Sequence, residues 1–435
     1  MSERRVDPAV RVDAVVTVPG DKSLSHRALL LGALARGRSY AGNCSPAADV
    51  ESTIRCLRDC GVWVRSFGRG RIVLDGSGPR ESLRSPAAAL ECGNSGTTMR
   101  LLAGVLAGHD TVATLDGDSS LRRRPMERVA EPLRAMGADV MTSAGGTAPL
   151  RVGGRRDLRA IDWTTPVASA QVKSAILLAA LSASEPTSVT EPYATRDHTE
   201  RLLRMCGLAV RTEGLRVTVE PGCPEPFGFR VPGDMSSAAY FLALAAARTG
   251  WHVRCAGVGL NPGRTGVIDV LRAMGATVDV IEGEMAGGVE PQGDVELRGG
   301  ALRATTVAGG LTVRCIDEIP VLCVLATQAE GTTEIRDAGD LRTKESDRLA
   351  GIAGGLRALG AQCEVTAGGI SITGPSLLQA ASLDSLGDHR LAMAWGVAAS
   401  LAGPGATSTV GGAEAAAVSF PGYFDELARV SSGSA

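Results

Sequence analysis

Lysine is nearly absent from this chain, so the positions where it does occur are candidates for chemistry. The 435 residues include 45 Lys and Arg, and the lysines are Lys22, Lys173 and Lys344. Arginine supplies the positive charge elsewhere, which suggests that these positions need a compact ammonium group. Each lysine lies in a segment typical of a helix start: "GDKSLSHRALLL", "ASAQVKSAILL" and "RTKESDRLAGI". Because helix N-termini attract anions, the pattern indicates a site for small polyanions; chance retention of lysine is the alternative.

Other predicted helix starts carry cations and small polar residues in the same way. Ser23 is the predicted N-cap of the first of these helices, and Arg27 lies one turn further on. The turn "ECGNSGTTMRLLAG" has small residues that would let a ligand approach backbone N–H groups, although most glycine-rich turns are structural. The further candidates at such junctions are Asn94, Gly96, Arg124, Ser169, Gln171, Arg196, Arg348 and Arg390.

Two carboxylates are candidates for acid and base chemistry. Asp317 precedes an apolar run in "CIDEIPVLCVLA" and could accept a hydroxyl proton, while Glu345 lies between Lys344 and Arg348 and could act as an acid. An exposed turn and a surface salt-bridge cluster are the alternatives for these two segments. The five histidines form no HxxxH pair and the ten cysteines show no metal-ligand spacing, so we expect no metal site.

Composition excludes several classes of protein. The formal charge of -2 and an aromatic content of 3% argue against a nucleic-acid partner. The apolar runs are too short to span a membrane, and the N-terminal residues have no apolar core of a signal peptide. We therefore expect a cytoplasmic protein without a membrane partner, and its length predicts several domains.

An internal repeat organises the chain. Five segments share a leucine, a glycine where a helix would end, and a following strand; they are "CLRDCGVWV", "PLRAMGADV", "LLRMCGLAV", "VLRAMGATV" and "GLRALGAQCEV". "YFDELARV" fits as a sixth copy near the C-terminus. A larger duplication relates "VPGDKSLSHRALLLGALARG" to "VPGDMSSAAYFLALAAARTG". The sequence therefore predicts a mixed α/β protein of two homologous halves, with three repeats in each half and a ligand cleft between them.

The motifs together resemble the 5-enolpyruvylshikimate-3-phosphate synthase family. The resemblance extends in order over almost the whole chain and rests on "PGDKSLSHRALLL", "GNSGTTMRLLAG", "RRPMERVAEPLRAMGA", "SAQVKSAILLAAL", "RDHTERLL", "PGDMSSAAYFL", "DEIPVLCVLATQAEGTT", "LRTKESDRL" and "GDHRLAMA". It implies an inside-out α/β barrel of six βαβαββ repeats. One domain would comprise 1–20 and 235–435, the other 21–234, with the active site in the cleft.

The resemblance also implies a reaction. The enolpyruvyl group of phosphoenolpyruvate would be transferred to the 5-hydroxyl of shikimate 3-phosphate, with release of phosphate, no cofactor and a monomeric enzyme. Glu345 would protonate the methylene carbon, Asp317 would help remove the hydroxyl proton, and Lys22 would stabilise the departing phosphate. Shikimate 3-phosphate would bind Lys22, Ser23, Arg27, Ser169, Gln171, Arg196, Asp317 and Lys344. Phosphoenolpyruvate would bind Lys22, Asn94, Gly96, Arg124, Gln171, Arg348 and Arg390.

Two departures and three alternatives accompany this interpretation. Ala170 and Val418 stand where one branch of the family has a serine and a lysine, so cation supply from the C-terminal segment is in question. The alternatives are an enolpyruvyl transferase with another acceptor, such as UDP-N-acetylglucosamine, an RNA-end-processing protein on related repeats, and a noncatalytic paralogue. The first of these families has a cysteine in its Arg-Pro loop, and "DGDSSLRRRP" has none.

Overall fold

The computed structural model describes residues 2–79, 83–405 and 407–433. These form two compact units. The terminal unit contains the chain up to Pro19, Pro232–Glu284 and the chain from Pro291, and the inserted unit contains Gly20–Val231 and Met285–Glu290. The crossings between units lie within a few residues of the expected domain bounds, and the short segment 285–290 packs with the inserted unit. The assignment of two domains with a site between them stays a prediction.

The elements alternate between strands and helices along the chain. The terminal unit begins with β1 (Glu3–Val6) and β2 (Asp13–Val16). The inserted unit follows with α1 (Lys22–Leu34), β3 (Arg36–Gly42), α2 (Ala48–Asp59), β4 (Trp63–Ser66), β5 (Ile72–Ser77), β6 (Leu90–Glu91), α3 (Gly96–Ala107), β7 (Val112–Asp116), α4 (Glu127–Ala135), β8 (Asp139–Met141), β9 (Leu150–Gly153), β10 (Asp162–Thr164), α5 (Ala170–Ala180), β11 (Thr187–Thr190), α6 (His198–Met205), β12 (Val210–Glu213), β13 (Arg216–Val219) and β14 (Gly228–Arg230).

The terminal unit resumes after β14. It contains α7 (Met235–Ala246), β15 (His252–Gly259), α8 (Gly266–Ala273), β16 (Thr277–Glu282), β17 (Gln292–Arg298), β18 (Thr306–Val307), α9 (Gly310–Arg314), α10 (Ile319–Ala326), β19 (Gly331–Ile335), α11 (Arg348–Ala358), β20 (Gln362–Val365), β21 (Ile370–Gly374), β22 (Ser382–Asp384), α12 (His389–Ser400), β23 (Ser408–Gly411) and α13 (Tyr423–Ser431). No helix among the described residues is long and apolar enough to cross a membrane.

Each unit contains three small sheets, one for each repeat. The inserted unit has the strand orders β14-β3-β5-β4, β6-β7-β9-β8 and β10-β11-β13-β12. The terminal unit has β16-β17-β15-β2, β18-β19-β21-β20 and the three-stranded β1-β23-β22. In each four-stranded sheet one edge strand runs parallel to its neighbour and the other pairs are antiparallel, as βαβαββ connectivity requires. The mixed α/β prediction with six repeats is confirmed.

The repeated glycines end helices as the sequence predicts. Gly61, Gly137, Gly207, Gly275 and Gly360 all have positive φ, between 80° and 102°. In each case the residue after this glycine donates its N–H to the carbonyl of the repeated leucine, as Val62 does to Leu57 at 3.0 Å. This hydrogen bond closes the last turn of the helix. A side chain with Cβ would be strained in this left-handed conformation. The chain can therefore turn from each of these helices directly into a strand.

Three helices in each unit are buried on almost every side. They are α1, α3 and α5 in the inserted unit and α7, α10 and α12 in the terminal unit. Their sequences are rich in Ala and Leu all round, which is typical of helices without a solvent-facing stripe. Their first turns carry most of the polar candidates. Burial of the apolar helix bodies thus fixes where those polar first turns lie.

Candidate functional site

The first turn of α1 is capped differently from the prediction. Asp21, not Ser23, is the N-cap, and its carboxylate accepts a hydrogen bond from Leu24 N at 2.8 Å. The prediction of Ser23 was wrong because the aspartate two residues earlier provides the acceptor. Lys22 is therefore the first helical residue, and its Nζ donates to Asp49 Oδ2 at 2.9 Å.

Arg27 lies one turn into α1 and is 2% exposed. Its guanidinium donates to Thr199 Oγ1 at 2.7 Å, Ser174 Oγ at 2.7 Å and Ser23 O at 2.9 Å, all uncharged acceptors. Burial lowers the pKa of Arg27 to about 10, and the nearby positive charge of Arg196 adds to this effect. Two positive charges held close together repel each other, and a bound anion would relieve that repulsion.

Arg196 and Ser23 are brought together beside Arg27. Arg196 Nη1 donates to Ser23 Oγ at 3.4 Å, and Arg196 lies just before α6. Ser23, Arg27 and Arg196 were each predicted from separate helix starts. The fold of the inserted unit places them in one cluster, since α1 packs against α6.

A second group of predicted residues surrounds the start of α3. Arg124 is 6% exposed and donates to Asn94 Oδ1 at 2.5 Å. Gly96 begins α3 after the N-cap Ser95. A Cβ at position 96 would lie 2.9 Å from Arg100 Nη1 and 3.2 Å from Arg124 Nη1. The glycine therefore leaves room beside two guanidinium groups, where a side chain would displace them.

Gln171 connects α5 to this group. Its side-chain oxygen accepts from Arg100 Nη1 at 2.6 Å, and its side-chain nitrogen donates to Thr97 Oγ1 at 2.9 Å. Ser169 is the N-cap of α5 and accepts from Val172 N at 3.4 Å. Both predicted residues lie at the same helix start, but the side-chain oxygen of Ser169 is used in capping and that of Gln171 in holding Arg100.

The terminal unit gathers its candidates around Arg348, which is 1% exposed. Arg348 Nε is 2.8 Å from Asp388 Oδ2, Nη2 is 2.5 Å from Glu345 Oε2, and Nη1 is 3.8 Å from Asp317 Oδ1. Burial acts to lower the pKa of Arg348, but Asp388 and Glu345 outweigh it and the pKa lies above its ordinary value. One buried cation thus lies within ion-pair distance of both predicted acid–base residues.

Asp317 lies in a network of carboxylates at the start of α10. Arg264 Nη1 is 3.5 Å from Asp317 Oδ2, and Arg264 Nη2 is 2.8 Å from Asp234 Oδ1. Ser236 Oγ donates to the buried Glu318. Burial raises the pKa of Glu318, Arg264 opposes this, and Asp317 adds to it. Of Asp234, Asp317 and Glu318, Asp317 is the most exposed, with 18% of its side chain accessible, so it can reach a ligand.

Lys344 and Glu345 lie between a 3-10 helix, Gly339–Thr343, and α11. Both side chains are half-buried. Burial lowers the pKa of Lys344, while the carboxylate of Asp317 opposes the shift. At the next helix start Asp388 is the N-cap of α12, and its side chain accepts from Arg390 N at 2.8 Å.

Arg390 is a buried cation with unused hydrogen-bonding capacity. It is 4% exposed, and among the described residues its Nε and Nη1 have no hydrogen-bond partner. Burial acts to lower the pKa of Arg390, but Tyr240, Asp317 and Glu318 outweigh it and the pKa is raised. Because buried donors are normally satisfied, these two nitrogens indicate a place for an anionic ligand.

The structure adds functional candidates that the sequence reasoning missed. Arg100 bridges Gln171 and the loop before α4, and Arg264 links three carboxylates. Arg100 lies one turn into α3 as Arg27 does in α1, and Arg264 precedes α8, so the same helix-start signal applied to both.

Val418 lies in a 3-10 helix, Ala413–Val418, and carries no charge. No group of His, Cys, Asp and Glu within the described ranges could hold a metal ion.

Comparison with known proteins identifies a family. A family model described as EPSP synthase (3-phosphoshikimate 1-carboxyvinyltransferase) matches residues 6–427. A 3-phosphoshikimate 1-carboxyvinyltransferase of Chloroflexus aurantiacus is 48% identical over 426 residues, 97% of each chain. That of Geobacillus kaustophilus is 48% identical over 95% of this chain and 96% of its own.

Solved structures agree with the sequence relatives. An EPSP synthase from Acinetobacter baumannii superposes with a TM-score of 0.85 at 40% identity, covering 99% of this chain and 98% of that one. An enolpyruvyl transferase from Streptomyces tendae shares the fold, with a TM-score of 0.78 at 18% identity over 98% and 96% of the two chains. With helix starts that bring buried arginines and carboxylates together in each unit, the chain belongs to the EPSP synthase family.

Proposed function

We propose that this protein transfers the enolpyruvyl group of phosphoenolpyruvate to the 5-hydroxyl of shikimate 3-phosphate, a step of aromatic amino acid biosynthesis. The products are 5-enolpyruvylshikimate 3-phosphate and phosphate. The observation that carries the proposal is the concentration of buried arginines at helix starts, of which Arg390 has N–H groups still to be satisfied among the described residues. Family membership supplies the identity of the two substrates.

The charges of the substrates fit this arrangement. Each substrate carries a phosphate and a carboxylate, and bringing four anionic groups together would cost several kcal/mol at an effective dielectric constant of about 20 unless cations offset it. We assign shikimate 3-phosphate to Lys22, Ser23, Arg27, Ser169, Gln171, Arg196, Asp317 and Lys344. We assign phosphoenolpyruvate to Lys22, Asn94, Gly96, Arg124, Gln171, Arg348 and Arg390.

The reaction then proceeds by addition and elimination. Glu345 donates a proton to the methylene carbon of phosphoenolpyruvate, so the adjacent carbon becomes electrophilic. The 5-hydroxyl oxygen attacks that carbon while Asp317 accepts the hydroxyl proton. In the resulting tetrahedral intermediate the carbon–oxygen bond to the phosphate breaks and phosphate leaves, while the methyl group gives one proton back to the Glu345 carboxylate and the carbon–carbon double bond forms again. Lys22 stabilises the charge on the departing phosphate.

Arg348 gives Glu345 a means of changing its protonation during this cycle. Arg348 Nη2 is 2.5 Å from Glu345 Oε2, and an ion pair of this kind favours the carboxylate form of the acid. A substrate carboxylate bound to Arg348 would compete for the same guanidinium, which would weaken that pair and raise the proton affinity of Glu345. The acid would thus become available when the donor is bound.

Phosphate release from phosphoenolpyruvate tests the proposal directly. We expect release that depends on shikimate 3-phosphate and that UDP-N-acetylglucosamine does not support. Arg27→Met should abolish most of it, because it removes the buried cation, whereas Arg38→Met, at an exposed arginine of β3, should retain it. Release without acceptor, or release only with the nucleotide sugar, would contradict the proposal.

We further propose that the enzyme acts as a monomer in the cytoplasm without a cofactor. Sedimentation of the active enzyme at assay concentration tests this, since activity that appears only in a dimer fraction would exclude it.

A further inference from the structure

Lys173 is the one lysine to which the proposed reaction gives no role, and its surroundings differ from those of the other two. It lies in the first turn of α5 and is 3% exposed. Its Nζ is 2.6 Å from Glu191 Oε2 and 2.8 Å from Glu200 Oε1, and both carboxylates are buried. Ions removed from water are maintained only by close partners, so the three charges hold one another in place.

The two carboxylates flank the segment that carries Arg196. Glu191 directly follows β11, and Glu200 lies in the first turn of α6. Thr195 Oγ1 is 2.8 Å from both carboxylate oxygens of Glu191, so its hydroxyl holds the residue next to Arg196. Lys173 thereby fixes the segment at both ends.

The residues adjacent to this ionic contact hold Arg27. Ser174 follows Lys173, Thr199 precedes Glu200, and their hydroxyl oxygens are 2.7 Å apart. Both hydroxyls accept from Arg27 at 2.7 Å. The contact between α5 and α6 therefore has two parts. Lys173 makes the ion pair with Glu200, and the adjacent hydroxyls of Ser174 and Thr199 orient Arg27.

We infer that Lys173 is a positioning residue for the acceptor substrate. By tying Glu191 to Glu200 it sets the positions of Arg196 and Arg27, which would bind the anionic groups of shikimate 3-phosphate. This inference rests on the proposed function. Glu200 also acts to raise the pKa of Arg27, against the lowering by burial and by Arg196.

The same geometry explains why this position is lysine in an arginine-rich chain. An ammonium is a compact point charge that fits between two carboxylates less than 3 Å away on either side. A planar guanidinium needs more room and a fork-shaped set of acceptors. Within a site this buried, it would push α5 and α6 apart or expel one glutamate.

The test measures the Michaelis constant for each of the two substrates separately in three variants. They are Lys173→Arg, Glu191→Gln and Thr195→Val, each a conservative change in one member of the contact. We expect KM for shikimate 3-phosphate to rise about tenfold or more, with KM for phosphoenolpyruvate and kcat within about twofold of wild type. Ile176→Val, a buried apolar change on the same helix, is the control that lowers stability without this split.

The outcomes are distinguishable from a failure of the proposed function. If wild type releases no phosphate in response to shikimate 3-phosphate, the function itself is wrong. If wild type is active and the variants raise both Michaelis constants equally, or neither, Lys173 serves only stability and the inference is overturned. Should Lys173→Arg fail to fold, Glu191→Gln and Thr195→Val decide the question by the same criterion.

Discussion

The two units place cations at helix starts in the same way but surround them differently. In the inserted unit Arg27 donates to two hydroxyls and a carbonyl, and Arg124 donates to an amide and a hydroxyl. In the terminal unit Arg348 and Arg264 each contact three carboxylates. Neutral partners leave the charge of a guanidinium for a ligand, whereas carboxylates neutralise it and are themselves able to exchange protons. The contrast holds for these arginines only, since Lys22 and Lys173 of the inserted unit also contact carboxylates. We therefore propose that Arg27 serves to bind an anion, and that the carboxylates around Arg348 serve to move protons.

Glu345→Gln should give the largest effect, because it removes the proposed proton donor and keeps the size of the side chain. We expect kcat to fall by about 10²- to 10⁴-fold, the range for loss of a general acid. Steady-state kinetics of phosphate release measure this. Glu364→Gln, at an exposed position of β20, is the matched control and should be unchanged. An unaltered kcat in Glu345→Gln would show that Glu345 of the terminal unit is not the proton donor.

Lys22→Arg and Lys344→Arg compare one position in each unit. A guanidinium keeps the charge but displaces reacting groups, so turnover should fall by at least about 100-fold, or roughly 2.7 kcal/mol, in each. The free energy of unfolding should stay within about 0.5 kcal/mol of wild type by denaturant titration. Near-wild-type turnover in either variant would make the lysine at that position an accident of composition.

Gly96→Ala tests the anion-binding character of the inserted unit. The added methyl group would meet Arg100 and Arg124, so it should disturb the donor site. Glyphosate, which occupies the donor site in sensitive members of the family, should compete with phosphoenolpyruvate in wild type. Its inhibition constant should rise roughly 10- to 200-fold in Gly96→Ala, as for one carbon in a tight pocket. Gly354→Ala in α11 of the terminal unit is the control, since its Cβ meets nothing within 4 Å. An unchanged inhibition constant in Gly96→Ala would exclude position 96 from the donor site.

The smallest predicted effect is a difference in pH dependence between the lysines of the two units. Burial lowers the pKa of Lys344, whereas for Lys173 burial is outweighed by Glu200 and Glu191 and the pKa is raised. As the pH rises, Lys344 should therefore lose its proton before the pH reaches about 10.4, the ordinary pKa of lysine. The value of kcat/KM should fall as this proton is lost. In Lys344→Arg the residual activity should persist to higher pH, and an identical alkaline limb would contradict this assignment.

The same two lysines should affect stability with opposite signs. Between the lowered pKa of Lys344 and about 10.4 the unfolded chain binds more protons than the folded chain, so its contribution to the free energy of unfolding increases with pH. The contribution of Lys173 is fully present below about pH 10.4 and is lost as the pH rises through its raised pKa. Denaturant titrations of wild type, Lys344→Met and Lys173→Met at alkaline pH values on both sides of about 10.4 measure the two contributions to the free energy of unfolding separately.

Much of the fold was predictable from local signals. The glycines at 61, 137, 207, 275 and 360 marked helix ends because only a residue without Cβ adopts positive φ at little cost. The cap of α1 was not predicted correctly, because Asp21 and Ser23 are both good N-caps and the choice depends on where the preceding strand ends. Arg264 was missed because its importance comes from Asp234 and Asp317, which are distant in sequence.

The repeat, the mixed α/β class, the family and the places where cations begin helices could all be predicted from the residues, since each is carried by short motifs and by their order along the chain. The tertiary structure decided which charges meet. Lys22, Lys173 and Lys344 look alike in sequence, yet packing places the first beside Asp49, the second between two buried glutamates and the third, half-buried, near Asp317. Electrostatic environment depends on distance and burial, which are set by helices that the chain brings together from far apart.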